Sequence, residues 1–295
     1  MNGTMAVARY TLLEISRRRI LLVFFVIGVV GIAVIGIALK VAPINMGSPG
    51  GTAPDPAVVS RFLELTFVRI LTQVVGFFAL LIAFAIGMTA IYHDLESGAA
   101  VAIFSKPITR LAYTIGKVVA AIIAMLLVVG LLGLEARLFM ALFGGGLEQA
   151  MWVETVASVA NAVLLMLIVL ALSTWMNNIV AAIVAFIYSF VGGVVVALHA
   201  QFGAPGVLSA PAIIKTVLNI LYWLVPHQLM SDAQRQIVKA QFELFGGPQG
   251  RGAPTTNQIL SSVPGASSLQ DILWWAFLVV LMATLVYVAV RRRQV

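Results

Sequence analysis

Apolar residues fill this chain in long unbroken blocks instead of recurring at helical or strand intervals. Six blocks are long enough to cross about 30 Å of hydrocarbon as helices of about 20 residues. They cover 20–39, 70–92, 118–143, 153–176, 179–198 and 272–290. Helices satisfy their own backbone hydrogen bonds, which lipid cannot do. The fold class predicted is all-α: a polytopic membrane protein of six transmembrane helices, with an N-terminal interfacial helix, a cytoplasmic coupling helix and short outer helices before the sixth span. A further apolar run, 212–225, contains Lys215 and Asn219 and ends at Pro226. It is too short for a span and predicts an interfacial or re-entrant helix on the outer face.

The polar stretches between blocks have their own patterns. Residues 5–19 predict a short helix on the inner membrane surface, with Met5, Ala8, Leu12 and Ile15 on one face and Tyr10, Glu14, Arg17 and Arg18 turned away. Residues 41–69 read as an outer loop, because prolines and glycines from Pro43 to Pro56 forbid a regular element at its start. Residues 144–152 form a short outer turn, and Asn177-Asn178 a tight inner one. The sizeable extracytoplasmic segment is 199–270. Within it 231–245 predicts a helix: Ser231 and Gln234 have capping-box spacing, and Leu229, Ala233, Ile237, Ala240 and Leu244 share a face. The domain reading is one transmembrane unit over 1–295, containing the 5–19 interfacial helix, a 93–117 inner loop and the 199–270 outer segment.

Composition supports the class. The chain is 61% hydrophobic and 10% charged, with mean hydropathy +1.06, whereas soluble domains carry about 25% charged residues. It has no cysteine, so no disulfide or thiolate zinc site is available. The first block follows Arg17-Arg18-Arg19 as in a signal peptide, but its apolar core is too long, and a retained span is predicted. Both termini are predicted cytoplasmic. Arg9, Arg17–Arg19, Lys106, Arg110, Lys117 and Arg291–Arg293 then oppose only Glu14, Asp94 and Glu96, and this side carries the whole formal +7. The localisation predicted is a cell membrane, multi-pass. The basic excess reports topology and contact with anionic lipid. No basic soluble domain exists to bind nucleic acid.

The most informative polar stretch is 92–117. Asp94 and Glu96 suit the positive end of a helix dipole. Residues 99–104 are apolar and helix-favouring, Pro107 stops the run, and Arg110 and Lys117 return the chain to the membrane surface. The order acid, acid, Gly98, apolar stretch, Ser105-Lys106-Pro107-Ile108-Thr109-Arg110, then Gly116-Lys117 resembles the permease subunits of the ABC-2 superfamily of exporters, most nearly the branch of permeases for multi-copper-enzyme maturation. Leu224-Val225-Pro226-His227 is similar to a Leu-Pro-Asn of relatives, with His in place of Asn. Gly98-Ala99 stands where relatives have Gly-Thr. The resemblance implies that this inner loop is a coupling helix docked in a cytoplasmic ABC ATPase through Asp94, Glu96, Gly98, Phe104, Pro107 and Arg110. It also implies a second permease copy or paralogue. ATP and Mg belong to the partner, and no cofactor is expected in this chain.

Other candidates are weaker. Gly116-Lys117 fails as a P-loop, since Leu111 and Val118 replace the required Gly and Ser/Thr. Glu135 and Arg137 are ionisable groups inside a block, candidates for substrate or gating roles, or anchors at the outer interface. His199, His227, Met46 and Met230 lack metal-site spacing, so no metal is expected. His93 reads as a surface residue, and no catalytic residue is expected. Three functions are open: the permease of an ATP-driven exporter, a non-transporting membrane partner of an ABC ATPase, or an intramembrane enzyme. The last needs clustered His, Asp or Glu at span ends. Reporter fusions after Val295 and within 246–254 should report opposite sides of the membrane; the same side would require a seventh span.

Overall fold

The computed structural model describes residues 3–41, 56–96, 105, 108–142, 147–203, 211–245, 255–263 and 265–292. These form eleven helices and no strand: α1 (Gly3–Ser16), α2 (Arg19–Val41), α3 (Pro56–Thr89), α4 (Tyr92–Glu96), α5 (Arg110–Ala141), α6 (Glu148–Ser173), α7 (Asn178–Gly203), α8 (Ala212–Leu224), α9 (Ala233–Phe245), α10 (Thr256–Ser262) and α11 (Leu269–Arg292). Six are long and apolar enough to cross a membrane: α2, α3, α5, α6, α7 and α11. At 13 residues, or about 20 Å, α8 falls short. The fold is the all-α polytopic membrane protein that the block pattern predicts. The helix predicted over 99–104 lies outside the described residues.

α3 and α5 overrun their apolar blocks furthest. α3 begins at Pro56 and is 34 residues long, so the second half of the predicted outer loop is helical. Pro56 takes the first helical position, where its missing N–H costs nothing. Glu64 explains why this extension is ordered. It is fully buried, pairs with Arg61 at 2.6 Å and accepts the Leu147 N–H at 2.7 Å, one residue before α6. α5 likewise starts at Arg110, where the Thr109 hydroxyl caps it by accepting the Ala112 N–H at 3.2 Å.

α6 is the centre of the bundle. Of its apolar core 78% is buried, against 50% for α3 and α5, 28% for α7, 22% for α2 and 17% for α11. α3 packs most extensively on α6, and α1 on α5. The outer helices turn Val34, Phe190 and Phe277 outward. Helices in lipid gain little from hydrophobic association and rely on close packing of small residues. Gly87 of α3 does this: a Cβ there would stand 2.8 Å from the Met166 carbonyl oxygen and 2.8 Å from Val169 Cβ on α6.

The bundle has two unlike ends. The basic end gathers α1, α4, the start of α5 and the end of α11. The far end carries α8, α9 and α10. The face predicted for α9 is the packed one: Ala233, Ile237 and Ala240 are buried, and Leu244 joins them. Gly87→Val should force α3 off α6 and cost about 1–3 kcal/mol, seen as earlier loss of monodisperse protein on heating in detergent. Gly130→Ala, where a Cβ meets nothing within 4 Å, should be neutral or slightly stabilising in the same assay.

Candidate functional site

A buried ion cluster organises the basic end. Lys117 lies two turns into α5 with no exposed surface. Its Nζ is 2.8 Å from Asp94 Oδ2 and 3.0 Å from Glu14 Oε2. The buried Tyr113 hydroxyl donates to the same Asp94 oxygen at 2.9 Å. Arg18 pairs with Glu14 and donates to the Thr89 carbonyl at the end of α3, at 3.3 Å. One ammonium thus ties α1, α4 and α5 together. A lone buried cation is prohibitive, and only pairing of this kind makes the position tenable. Burial pushes the Glu14 carboxyl up, but Lys117 and Arg18 outweigh it and hold it below its ordinary value.

This geometry revises the reading of α1. Its inward face is Val7, Thr11, Glu14 and Ile15, with Arg18 just beyond its end turned the same way, while Met5 and Tyr10 are exposed. Glu14 and Arg18, expected to face away, point at the bundle because Lys117 and Thr89 await them. The backbone fits closely: a Cβ on Gly116 would stand 2.9 Å from the Thr4 carbonyl oxygen. Lys117, expected at the membrane surface, is inside.

The six residues expected to meet a partner divide. Asp94 is turned inward and spent on Lys117 and Tyr113. Glu96 is exposed, 3.4 Å from the Tyr92 hydroxyl. Arg110 donates to the Arg291 carbonyl at 2.6 Å, joining the start of α5 to the end of α11. Gly98, Phe104 and Pro107 lie outside the described residues.

The far end holds a second polar constellation. After α8 the chain turns at Val225-Pro226 and re-enters the bundle. Irregular backbone at such depth needs protein partners, and Asn161 of α6 supplies them. Its amide donates to the Leu229 carbonyl at 2.9 Å and accepts the Leu229 N–H at 2.7 Å. The Pro226 carbonyl oxygen sits where a Cβ on Gly192 of α7 would be, 2.6 Å away. The Tyr188 hydroxyl donates to the Leu224 carbonyl at 3.2 Å. Glu154 accepts a short hydrogen bond from Ser231.

Asp271 closes this end. With Ser268 it forms a capping box on α11: Asp271 Oδ2 accepts the Ser268 N–H at 2.7 Å, and Ser268 Oγ accepts the Asp271 N–H at 3.3 Å. Its other oxygen accepts the Tyr222 hydroxyl at 2.8 Å. The Tyr222 ring lies between the rings of His199 and His227, at 4.4 and 4.0 Å between centroids. Burial first, and then Asp271, push the Tyr222 phenol above its ordinary range. His227 is buried. Its Nδ1 faces the Tyr222 carbonyl at 2.9 Å and so carries the proton, since a carbonyl only accepts. Nε2 stands 3.3 Å from Asp271 Oδ1, near enough for an ion pair but without hydrogen-bond alignment.

Glu135 and Arg137 do not pair with each other among the described residues. Arg137 lies over the Trp152 ring at 5.6 Å, and Glu135 has a buried oxygen without a partner. Glu135 is about 27 Å along α5 from Lys117, close to one hydrocarbon thickness. Among the described residues no group of three or more His, Asp or Glu is placed to hold a metal. His199 and His227 are stacked rings, His93 is exposed, and Met46 lies outside the described residues.

Sequence reasoning overlooked Lys117 as a hub, and with it Tyr113, Glu154, Asn161 and Asp271. Only Ser268-Leu269-Gln270-Asp271 carried a local signal, the capping-box spacing. Lys117→Met should cost about 3–5 kcal/mol, because it strands two carboxylates, and Lys117→Met with Asp94→Asn should recover part of that; thermal unfolding in detergent reads both. The pH dependence follows from Glu14. Its stabilising pairing is complete above the ordinary value of 4.5 and is lost as pH falls through the lowered folded value. Proteolysis near α1 should therefore be unchanged around neutrality and rise only in acid.

The chain has no match among the curated proteins. Residues 5–294 match the family described as ABC-2 family transporter protein. That match covers nearly the whole chain, from the α1 dock to the end of α11, and the chain belongs to the ABC-2 transporter family as a permease component of an ABC transporter.

Proposed function

We propose that this chain is the membrane-spanning half of an ATP-driven exporter, worked by a separate cytoplasmic ABC ATPase that docks on the 93–117 connector. The basic end is cytoplasmic on this reading, since Arg9, Arg17–Arg19, Arg110, Lys117, Arg291 and Arg292 gather there. ATP and Mg stay with the partner, this chain performs no catalysis, and two permeases face two ATPases.

The observation that carries the reading is the Lys117 cluster. Asp94 lies at the start of the connector and is held by Lys117 of α5, which also holds Glu14 of α1. A displacement of the connector is then delivered to a spanning helix and the interfacial helix together. Asp94 acts as an inner strut, while exposed Glu96 and the aromatic Phe104 are left to meet the ATPase. The non-transporting alternative requires a body outside the membrane for a partner to grip. The described parts of the far-end segment fold into the bundle instead, which favours transport.

The test is pull-down of the ATPase by detergent-solubilised protein. Phe104→Ala should weaken association by about 2 kcal/mol or more at unchanged membrane insertion. Charge reversal at Glu96 should alter docking rate and salt dependence more than residence time. Equal recovery of the ATPase by Phe104→Ala, with unchanged transport in cells, would remove the connector as the coupling element.

A further inference from the structure

We propose that the cavity between α3, α6, α7 and the hairpin joining α8 to α9 binds a single-tailed amphiphile with a cationic, hydrogen-bond-donating head. This rests on the export reading and names the class of cargo. The cavity holds about 310 Å³, at the small end of ligand sites. One face of α6 forms its long wall. Glu154, Ser158, Asn161, Leu165 and Ile168 line it, at intervals of four and three residues that stack on one side of a helix. From the far end inward this wall changes from carboxylate to hydroxyl to amide to aliphatic, over about 21 Å. Phe77 and Leu80 of α3 face it, and His227 and Gln228 of the hairpin roof it. Polarity therefore falls with depth, as it does along an amphiphile.

The polar groups have unspent capacity. Thr72, Thr89 and Thr155 return their hydroxyls to a carbonyl four residues back, and Ser173 to one three back. Ser158 of α6 and Ser189 of α7 line the cavity, and neither makes a hydrogen bond among the described residues. The Gln228 side chain makes none either. Glu154 commits one oxygen to Ser231 and leaves the other. Asn161, by contrast, engages both its amide nitrogen and its amide oxygen with Leu229 and positions the roof. Ser158 is buried, Glu154 and Ser189 are half-buried and Gln228 is exposed at the edge of the cavity, so a head with donors meets acceptors that are still open and partly shielded from water. The sign of the head follows from the lining: a carboxylate is present and no Lys or Arg is. The Phe77 ring adds a surface that cations favour.

The experiment is equilibrium binding of radiolabelled decylammonium to the full-length protein in nanodiscs of neutral lipid, with decyl sulfate as the opposite-charge match. Saturable binding of the cation and none of the sulfate is expected. Glu154→Gln keeps an acceptor for Ser231 but loses the charge, and should weaken the cation about tenfold or more. Ser158→Leu fills the cavity and should abolish binding. Ser189→Leu fills it from the opposite wall if the first variant does not fold. Equal binding of both charges, wild-type affinity in Glu154→Gln, or binding that survives the filled cavity would each overturn the assignment. No ATPase is present in this measurement. Absent binding with intact ATPase recruitment removes the site alone, and failed recruitment with intact binding removes the export reading alone.

Discussion

The hydrocarbon of a bilayer supplies no hydrogen-bonding partner and no counter-ion, so a charge or an irregular stretch of backbone carried into this bundle is tenable only where the protein supplies its partner. Lys117 and Asn161 show the two forms of that demand. Lys117 brings a full charge inside the basic end, where it is held by two carboxylates from two other helices. Asn161 faces irregular backbone inside the far end and meets it with both ends of its amide. In both cases the groups that meet the demand come from elements distant in the chain, so satisfying polarity and joining elements are one event.

That double role gives the bundle its mechanical character. α1 packs along α5 and is locked to it by Glu14, so it belongs to the bundle as much as to the membrane surface. α11 is the least buried of the spans, yet it is pinned at both ends. Arg110 of α5 holds its Arg291 carbonyl, and Arg292 lies over the Trp175 ring at 5.8 Å. At its other end Asp271 holds Tyr222 and faces His227, and one turn further in Trp275 donates to the Ala160 carbonyl at 3.1 Å. Between those ends Leu278, Val286 and Val290 are buried in the core while the opposite side of the helix faces outward.

The far-end hairpin is where the chain departs most from simple up-and-down spans. α8 is too short to cross, and the turn after it is lodged between Tyr188, Gly192 and Asn161. Aromatic stacking of His199, Tyr222 and His227 supplements these hydrogen bonds with dispersion contacts. The cost of bringing this turn inside is offset by these hydrogen bonds and stacks, and the turn roofs a cavity whose polar groups lie near the far end and whose apolar wall lies deeper.

The sequence by itself determined the class, the six spans, the short eighth helix, the unlike charge of the two ends and the buried face of α9. Each depends on local quantities, namely the length of an apolar run, the count of Lys and Arg beside it and the period of its apolar positions. Tertiary structure alone decided the partners. Lys117 meets Glu14 across 103 positions, Glu64 meets Leu147 across 83, and Asn161 meets Leu229 across 68. Glu64 and Lys117 each interrupt or edge an apolar block, and an interruption looks the same along the chain whether the charge is solvated or paired. Hence α3 appeared shorter than it is, and Lys117 appeared to lie at the surface. Pairing depends on the rotation of each helix about its axis and on which helices adjoin, and close approaches such as Gly87 on Met166 fix both only once the bundle has packed.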